Sequence, residues 1–252
     1  MVNERLRDII DALVAATRQV VADYHITEAE IDAAGEYLTK TGAQGQLVDY
    51  IDLMLYTAAD DLSRAREVNP NALVEGPRYK AGAPVKPDGV LYEGDIPDDV
   101  DLLKVSGRLY DRATGKGVEG AQIDFWHARV DGEYDLDGYD QRGKILTGAD
   151  GRYEFNTFVP GVYKVHDGDL VETLMAEIGR TTHRARHIHL RVWIDGEEWL
   201  TSQFYDPNSP YIDTDMLHGS VRPELISQWD EVTGDGEDRR RFEAVYDIAL
   251  TV

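Results

Sequence analysis

Two histidines separated by one residue, His187 and His189, are the side chains whose type and spacing most clearly suggest chemistry in this sequence. Successive side chains of an extended strand point to opposite faces, so residues i and i+2 share a face. Both imidazoles could therefore bind one metal ion. The H-x-H pattern also occurs on ordinary surface strands, so the other ligands of such a site have to be found elsewhere in the chain.

The residues around this pair predict the strand that it needs. The run from His187 to Trp193 mixes β-branched and aromatic residues, and Asp195-Gly196 is a hairpin turn signal. From about Leu102 onward, short runs of this kind alternate with turns, which is typical of an antiparallel sandwich or barrel. The predicted strands are Leu103 to Tyr110, Gln122 to Trp126, Lys144 to Thr147, Arg152 to Val159, His187 to Val192, Trp199 to Phe204 and Arg241 to Val252.

The N-terminal part of the chain predicts helices instead. Apolar residues recur at helical spacing from Leu6 to Val21, with charged residues between them. Thr27-Glu28-Ala29-Glu30 is a capping box that opens a second helix, and Gly42 is its expected end. A third helix, from about Gln46 to Arg64, is apolar enough to pack on two sides. A connector rich in proline and glycine follows, from about Pro70 to Gly89.

Composition excludes several classes of protein. The formal net charge is −22, from 26 Lys and Arg against 48 Asp and Glu, and such a charge repels phosphate backbones and anionic lipid. The absence of cysteine excludes disulfides, iron–sulfur clusters, thiolate zinc sites and a cysteine nucleophile. The first residues are amphipathic and charged, unlike a signal peptide or a membrane span. We therefore expect a cytoplasmic protein that neither binds nucleic acid nor inserts into a membrane.

Several longer motifs carry a family resemblance. They are G-R-L-Y-D from Gly107, G-A-Q-I-D-F-W-H-A from Gly120, G-E-Y from Gly132, D-G-R-Y-E-F from Asp150 and V-P-G-V-Y from Val159. With its helical N-terminus and the E-G-P turn at Glu75, nearly the whole chain resembles the intradiol ring-cleaving dioxygenases of the catechol, chlorocatechol and hydroxyquinol 1,2-dioxygenase type. The resemblance implies a mainly β protein with an α-helical N-terminal part. Residues 1–95 would form a helical dimerisation domain with the connector, and residues 96–252 an antiparallel β-sandwich catalytic domain.

Members of that family hold a non-haem ferric ion with two tyrosines and two histidines. Matched in order, the resemblance places these metal ligands at Tyr134, Tyr163, His187 and His189. Ferric iron is a strong Lewis acid and stabilises tyrosinate, whose parent phenol has a pKa of about 10. The implied reaction opens an ortho-diphenol between its hydroxyls with O2, through a chelated diphenolate, a bridging peroxide and a cyclic anhydride, to a cis,cis-muconate-type product.

The resemblance also implies roles for individual residues. Tyr134 would leave the metal when the diphenol chelates and would accept one diphenol proton. Arg184 matches an arginine that stabilises negative charge developing at the ring, and Gln203 matches a glutamine beside the metal. The candidate substrate-binding residues, from the third helix and the turn that enters the catalytic domain, are Asp52, Leu53, Tyr56, Val74, Pro77 and Arg78.

Two segments depart from the family pattern. Arg184-Ala185-Arg186-His187 replaces the usual Arg-Pro-Ala-His, and Arg78 replaces an apolar residue near the substrate ring. A buried arginine needs an anionic or strongly polar partner. Arg78 would therefore pair either with an acid such as Asp52 or with a polar substituent on the ring, and we favour the first. These departures bear on the substrate more than on the reaction.

Two other interpretations compete with the ferric dioxygenase. The run from Gly107 to Phe155 also resembles prealbumin-like and collagen-adhesin B-type sandwich modules, which bind without catalysis. That interpretation leaves the tyrosines, the histidine pair and the N-terminal helices unexplained. A zinc hydrolase would use His187 and His189 with a carboxylate, but the chain lacks an H-E-x-x-H motif.

The N-terminal helices bear on the type of dioxygenase. They favour the catechol type over the protocatechuate type, which resembles the sandwich domain alone. In the family these helices form the homodimer interface and can enclose a phospholipid tail. The shortness of the helical part favours chlorocatechol or hydroxyquinol relatives over the longer catechol enzymes, and the preferred ring substituent stays open.

Overall fold

The structure is a computed structural model that describes residues 3–47, 72–73, 75–76, 78–98, 100–217, 219–234 and 239–251. The chain divides into two compact units, residues 1–49 and 50–252. The first contains two N-terminal helices, and the second contains the strands. Among the described residues, no helix is long and apolar enough to cross a membrane.

Helix α1 (Glu4–Asp23) begins at Asn3, whose side chain accepts a hydrogen bond of 3.0 Å from the Leu6 amide. This cap satisfies one of the N–H groups that a helix start leaves without a partner. The predicted amphipathic helix is confirmed, but none of its residues is buried. Its apolar stripe is exposed, and the side chains that form it are Leu6, Ile9, Ile10, Leu13, Val14 and Val20.

Helix α2 (Glu28–Ala43) starts at the predicted capping box. The Thr27 hydroxyl accepts from the Glu30 amide, and the Glu30 carboxylate accepts from the Thr27 amide. The predicted end at Gly42 is wrong, because Gly42 lies inside the helix. The chain leaves the helix at Gly45, whose φ of +76° glycine adopts without steric cost. Beyond residue 47, the predicted third helix lies outside the described residues.

The second unit is built mainly of strands. Buried and half-exposed side chains alternate along its longer strands, as expected where one face of a sheet covers a core. Within the described part of the chain the strands are β1 (Leu102–Asp111), β2 (Gln122–Trp126), β3 (Arg142–Leu146), β4 (Arg152–Phe158), β5 (Tyr163–Lys164), β6 (His183–Arg184), β7 (His187–Ile194), β8 (Glu197–Tyr205), β9 (Gln228–Glu231), β10 (Arg241–Val245) and β11 (Ile248–Leu250).

The first sheet is five-stranded and mixed in direction. Strand β1 pairs antiparallel with β4 and parallel with both β10 and β11, and β9 pairs antiparallel with β10. The expectation of purely antiparallel pairing is therefore wrong for this sheet, because the C-terminal strands run beside β1 in the same direction. The predicted last strand, Arg241 to Val252, is divided by two residues into β10 and β11.

The second sheet is four-stranded, antiparallel and ordered β3–β2–β7–β8. Asp195 and Gly196 connect β7 to β8 with φ angles of +52° and +84°. Two successive positive φ angles are what the tight turn of a hairpin needs, so the predicted hairpin is confirmed. Strands β5 and β6 form a separate pair, and helix α3 (Leu170–Glu177) lies between them along the chain.

One hydrophobic core contains side chains from both large sheets. Val105 and Phe155 come from the first sheet, Phe125 and Leu190 come from the second, and all four are fully buried. Because side chains alternate along a strand, the other set of side chains in the second sheet faces away from this core. The histidine pair belongs to that second set.

Candidate metal centre

Strand β7 separates two kinds of side chain. Ile188 and Leu190 lie in the core, and His187 and His189 alternate with them and project from the opposite face. We call this opposite face the outer face of the four-stranded sheet. Both histidines are nonetheless buried, with 3% and 2% of their surface exposed. The pair is thus fixed on a strand with partners on both sides and is shielded from water.

The two imidazoles direct nitrogen atoms at each other. His187 Nε2 lies 3.1 Å from His189 Nε2. His187 Nδ1 lies 2.6 Å from the Ala185 carbonyl oxygen, which can only accept, so Nδ1 carries the proton and Nε2 a lone pair. Burial, together with the charge of Arg184, lowers the pKa of His187 well below its ordinary value, and burial likewise lowers the pKa of His189. Neutral imidazole is the form that binds metal ions.

Tyr134, in the loop between β2 and β3, brings a phenol oxygen to the same place. Its Oη lies 3.2 Å from His189 Nε2. Burial, and secondarily the neighbouring Tyr163, raise the pKa of Tyr134 well above its ordinary value. The guanidinium carbon of Arg142, itself buried, lies 5.7 Å from the centre of the Tyr134 ring, and Arg142 Nε donates to the Asp135 carbonyl at 2.8 Å. The loop is therefore fixed directly beside Tyr134.

Tyr163 joins the group from strand β5. The centre of its ring lies 5.5 Å from that of Tyr134 and 5.8 Å from that of His187. Strand β5 pairs with β6, where Tyr163 lies opposite Arg184. The structure thus brings all four predicted ligands into one group, in which Tyr163 is partly buried and the other three are buried. We call this group the ligand cluster: Tyr134, Tyr163, His187 and His189.

The ligand cluster fits a metal ion. Zinc, for example, binds imidazole nitrogen at about 2.0–2.1 Å, so two ligand atoms on one ion lie about 3 Å apart. The distances from His189 Nε2 to His187 Nε2 and to Tyr134 Oη are 3.1 and 3.2 Å. A buried phenol with a raised pKa stays protonated unless a cation lies beside it. Imidazole suits iron, copper, zinc and nickel, and phenolate oxygens favour an ion of higher charge.

Comparison with known protein families identifies the family of this chain. The family model described as "Dioxygenase" matches residues 74–252, and the model described as "Catechol dioxygenase N terminus" matches residues 3–65. The chain belongs to the intradiol ring-cleaving dioxygenases. The interpretations as a non-catalytic sandwich module and as a zinc hydrolase are therefore wrong.

Individual relatives match the dioxygenase over most of its length. The chlorocatechol 1,2-dioxygenase of Pseudomonas putida is 32% identical over 232 residues, which cover 89% of this chain and 87% of that protein. Catechol 1,2-dioxygenase 1 of Acinetobacter lwoffii is 33% identical over 249 residues, 92% of this chain and 78% of that protein. The crystal structure of chlorocatechol 1,2-dioxygenase from Pseudomonas putida has a TM-score of 0.81 at 30% identity, over 98% of this chain and 100% of that chain.

Arg184 of the dioxygenase lies beside the ligand cluster and is buried. Its Nη2 donates to Gln203 Oε1 at 3.0 Å and to Tyr205 Oη at 3.1 Å. Its Nε donates to both carboxylate oxygens of Asp215, at 2.9 and 3.1 Å. Burial is the largest influence and by itself would lower the pKa of Arg184, but Asp215, Tyr163 and Tyr205 together outweigh burial and raise the pKa well above its ordinary value. A permanent positive charge is thus held next to Gln203.

Asp215 is the site residue that the sequence did not indicate. Besides Arg184, its carboxylate accepts from the amides of Ala185 and Leu217, at 2.7 and 2.9 Å, and from the Ser220 hydroxyl at 3.0 Å. These bonds join strand β6 to the loop after Asp215. In a chain with 48 acidic residues, nothing in the sequence distinguishes this aspartate from the others.

The predicted substrate-binding residues are only partly described. Arg78 is exposed, so the expectation of a buried arginine is wrong. An exposed guanidinium is hydrated and needs no buried partner. The pairing with Asp52 and the remaining substrate-binding predictions fall on residues outside the described ones: Asp52, Leu53, Tyr56, Val74 and Pro77.

Two other histidines of the dioxygenase are bonded to structural partners. His127 is buried, with Nε2 2.6 Å from Thr157 Oγ1 and Nδ1 2.7 Å from the Ala128 carbonyl oxygen. His183 stacks on Tyr211, with ring centres 4.3 Å apart. His127 is therefore a buried structural residue, because both its ring nitrogens already have hydrogen-bond partners.

Proposed function

We propose that this dioxygenase holds a ferric ion at the ligand cluster and opens an ortho-diphenol between its two hydroxyls with O2, to a cis,cis-muconate-type product. The observation that carries the proposal is the approach of His187 Nε2 and Tyr134 Oη to within 3.2 Å of His189 Nε2 in a buried site. When bound there, the ion would supply a Lewis acid that makes the diphenol acidic and withdraws electron density from its ring.

The two histidines would be permanent ligands. The Ala185 carbonyl orients the His187 ring through a hydrogen bond of 2.6 Å. The Trp126 ring stacks on His189 with 4.8 Å between the ring centres and 4° between the planes. Neighbours that fix a ligand's tautomer and orientation raise metal affinity. Both imidazoles would therefore lose little freedom on binding the ion.

Tyr134 would accept a proton during substrate binding. An ortho-diphenol has to lose two protons to bind through both oxygens, and Tyr134 Oη lies within the cluster where that binding would occur. Burial raises the pKa of Tyr134, which favours the protonated phenol once its oxygen no longer serves as a ligand. We propose that Tyr134 Oη takes up one of the two protons and that Tyr163 stays bound.

Arg184 and Gln203 would act on the charge of the bound ring. Arg184 keeps its positive charge because Asp215 lies against it, and its Nη2 is hydrogen-bonded to Gln203 Oε1 at 3.0 Å. A preorganised charge of this kind stabilises negative charge that develops in a transition state. We propose that Arg184 is a catalytic residue and that Gln203 orients the reacting groups beside the ligand cluster.

The two N-terminal helices would serve in assembly. The exposed apolar stripe of α1 is what a helix that packs against a partner presents. We propose that α1 forms a homodimer interface, that this interface can enclose a phospholipid tail, and that the two large sheets form the β-sandwich of the catalytic domain. The protein would work in the cytoplasm.

The length of the chain relative to its relatives suggests which ring substituent the substrate carries. The matched segment covers 87% of the chlorocatechol relative but 78% of the catechol relative. This fits a short helical part, so we infer that chlorocatechol or hydroxyquinol is a better substrate than catechol. Initial rates on a panel of substituted catechols would test the order, and catechol as the fastest substrate would reverse it.

An absorption spectrum with an iron assay tests the reaction. The purified protein should carry a red-brown band from tyrosinate-to-ferric charge transfer, and anaerobic catechol should shift that band. A protein that stays colourless after reconstitution with ferric iron would refute the proposal.

Substitutions test whether the charge-transfer band arises from the ligand cluster. We expect Tyr163→Phe and His189→Ala to lose bound iron or the band, because each removes one ligand. Tyr110→Phe and His25→Ala, which alter a tyrosine and a histidine outside the cluster, should keep both. Full iron content and activity in Tyr163→Phe or His189→Ala would overturn that residue's assignment.

A further inference from the structure

The outer face of the four-stranded sheet carries a buried arginine that the proposed mechanism does not use. Arg191 follows the histidine pair on β7 and shares its face, with 9% of its surface exposed. Its Nη2 forms an ion pair with Glu75. On the neighbouring strand β8, its Nε donates to Thr201 Oγ1 at 3.1 Å and lies 3.5 Å from a Glu198 carboxylate oxygen. A charge this buried is stable only where such partners replace water.

An aromatic stack connects Arg191 to one of the proposed ligands. The guanidinium carbon of Arg191 lies 3.9 Å from the centre of the Tyr79 ring. Tyr79 meets Trp126 edge-on, with ring centres 5.0 Å apart, and Trp126 lies flat on His189. Tyr79 Oη also donates to Asp124 at 3.1 Å. The stack is therefore continuous from Arg191 to His189.

Glu75 and Tyr79 belong to a segment whose described residues, 72–73, 75–76 and 78–82, lie along this face. We call this segment the strap. At one end, the Leu73 amide donates to the Thr201 carbonyl at 3.0 Å. At the other end, Lys80 Nζ donates to three carbonyls of the loop that follows Tyr134, at 2.9, 2.7 and 3.0 Å. The strap is thus bonded to β8 and to the loop that carries a proposed ligand.

The middle of the strap lies against His189, one of the proposed ligands. A Cβ at Gly76 would lie 3.6 Å from His189 Cε1, which is van der Waals contact. The backbone at Gly76 is therefore part of the surroundings of the ligand cluster. Glu75 and Tyr79, the strap residues that contact Arg191, flank this point on either side.

We propose that Arg191 is a positioning residue that holds the strap on the outer face through Glu75 and Tyr79, so that the strap forms one wall of the diphenol pocket. Arg191 contacts Glu75 and Tyr79 on the strap and Thr201 and Glu198 on β8, so its removal takes away contacts that hold the strap to the sheet. The identity of the pocket's ligand rests on the proposed function, whereas the attachment of the strap does not.

Steady-state kinetics of the iron-loaded full chain test the pocket wall. In Arg191→Met, we expect KM for catechol to rise about tenfold, equivalent to roughly 1.4 kcal/mol of binding. The kcat should change less than about twofold, because the variant removes binding that the ground state and the transition state share and leaves the ligand cluster in place. Glu75→Gln, which removes the other end of the ion pair, should raise KM similarly, and the double variant should add little to either. Arg152→Met, at an exposed arginine paired with Asp150, is the matched control and should leave KM unchanged.

Limited proteolysis tests the attachment of the strap without turnover. Trypsin cleaves after Arg78 and Lys80, and mass spectrometry resolves these two sites from others. We expect cleavage there to accelerate about tenfold in Arg191→Met and Glu75→Gln, in proportion to the loss of attachment, and not in Arg152→Met.

The kinetic and the proteolytic experiments together distinguish failure of this inference from failure of the proposed function. Unchanged cleavage in both variants would overturn the attachment, whatever happens to KM. Faster cleavage with unchanged KM would overturn the pocket wall. Faster cleavage in a protein that neither binds ferric iron nor turns over diphenols would support the attachment while refuting the function.

Discussion

The substitution Asp124→Asn should stabilise the protein at neutral pH and leave its stability unchanged at pH 4. Asp124 lies on β2, on the outer face, with 1% of its surface exposed. Burial raises its pKa from the ordinary 3.8 to about 6, although the hydrogen bond from Tyr79 and the charges of Lys144 and Arg142 oppose burial. The folded protein thus keeps a proton that the unfolded chain releases at lower pH.

The sign and size of the effect follow from that pKa. Because the folded state binds the proton more tightly, the stability from this group is fully present below about pH 4 and is lost as the pH rises through about 6. The rise in the pKa of Asp124 from 3.8 to about 6 corresponds to about 3 kcal/mol of stability, at about 1.36 kcal/mol for each pKa unit. Asparagine stays neutral and can accept the same hydrogen bond. Asp124→Asn should therefore exceed the wild type in free energy of unfolding by up to ~3 kcal/mol at pH 7.5.

Urea unfolding of both proteins at several pH values between 4 and 7.5 measures this difference. Subtracting the two curves removes the contribution of the other acidic residues, which both proteins share. Asp230→Asn, at an exposed position on β9, is the matched control and should show no such trend. A difference between Asp124→Asn and wild type that does not grow between pH 4 and 7 would refute the argument from burial.

Two further predictions concern the site and the assembly. Arg184→Ala should keep its iron while kcat falls about 10²–10³-fold, the usual loss for a preorganised group that stabilises developing charge. Asp215→Asn should lower kcat less, and the double variant should have nearly the same kcat as Arg184→Ala. Loss of iron in Arg184→Ala would instead point to a structural role. Leu13→Glu places a charge on the exposed apolar stripe of α1. Sedimentation velocity should show a dimer for the wild type and a monomer for the variant at the same concentration. A monomeric wild type, or a variant that remains dimeric, would overturn the proposed interface.

Local sequence patterns predicted the parts of the site that depend on local structure. The alternation along β7 places both histidines on one face, and Asp195-Gly196 forms the turn that pairs β7 with β8. That pairing sets Gln203 opposite His189. The capping box at Thr27 likewise starts α2, because both of its hydrogen bonds lie within one turn of helix.

Features that depend on distant pairing could not be predicted in this way. The parallel pairing of β1 with β10 joins residues that are far apart along the chain, and no local sequence pattern predicts it. The same holds for Asp215, which meets Arg184 only after β6 and the following loop are folded. The short strands β5 and β6, two residues each, are below the length at which periodicity indicates a strand.

Buried arginines lie at the outer face of a strongly acidic protein, where Asp215 and Glu75 pair with two of them. Three buried arginines, Arg142, Arg184 and Arg191, lie on or beside this face of a chain whose net charge is −22. Burial and the neighbouring His187 lower the pKa of His189 most, and the charges of Arg184 and Arg142 lower it further. This imidazole therefore stays neutral. The same charges favour an anionic ligand at the cluster.

This contrast suits the proposed substrate and product. A phenol with a pKa of about 10 is neutral in solution at pH 7, so an acidic protein does not repel a diphenol, which would become anionic only inside the site. The ring-opened dicarboxylate is charged as soon as it forms, and the field of the protein drives it outward. Rising salt screens that field. We therefore expect salt to strengthen inhibition by the product while KM for the diphenol stays constant; product inhibition that weakens with salt would show that the local arginines outweigh the net charge.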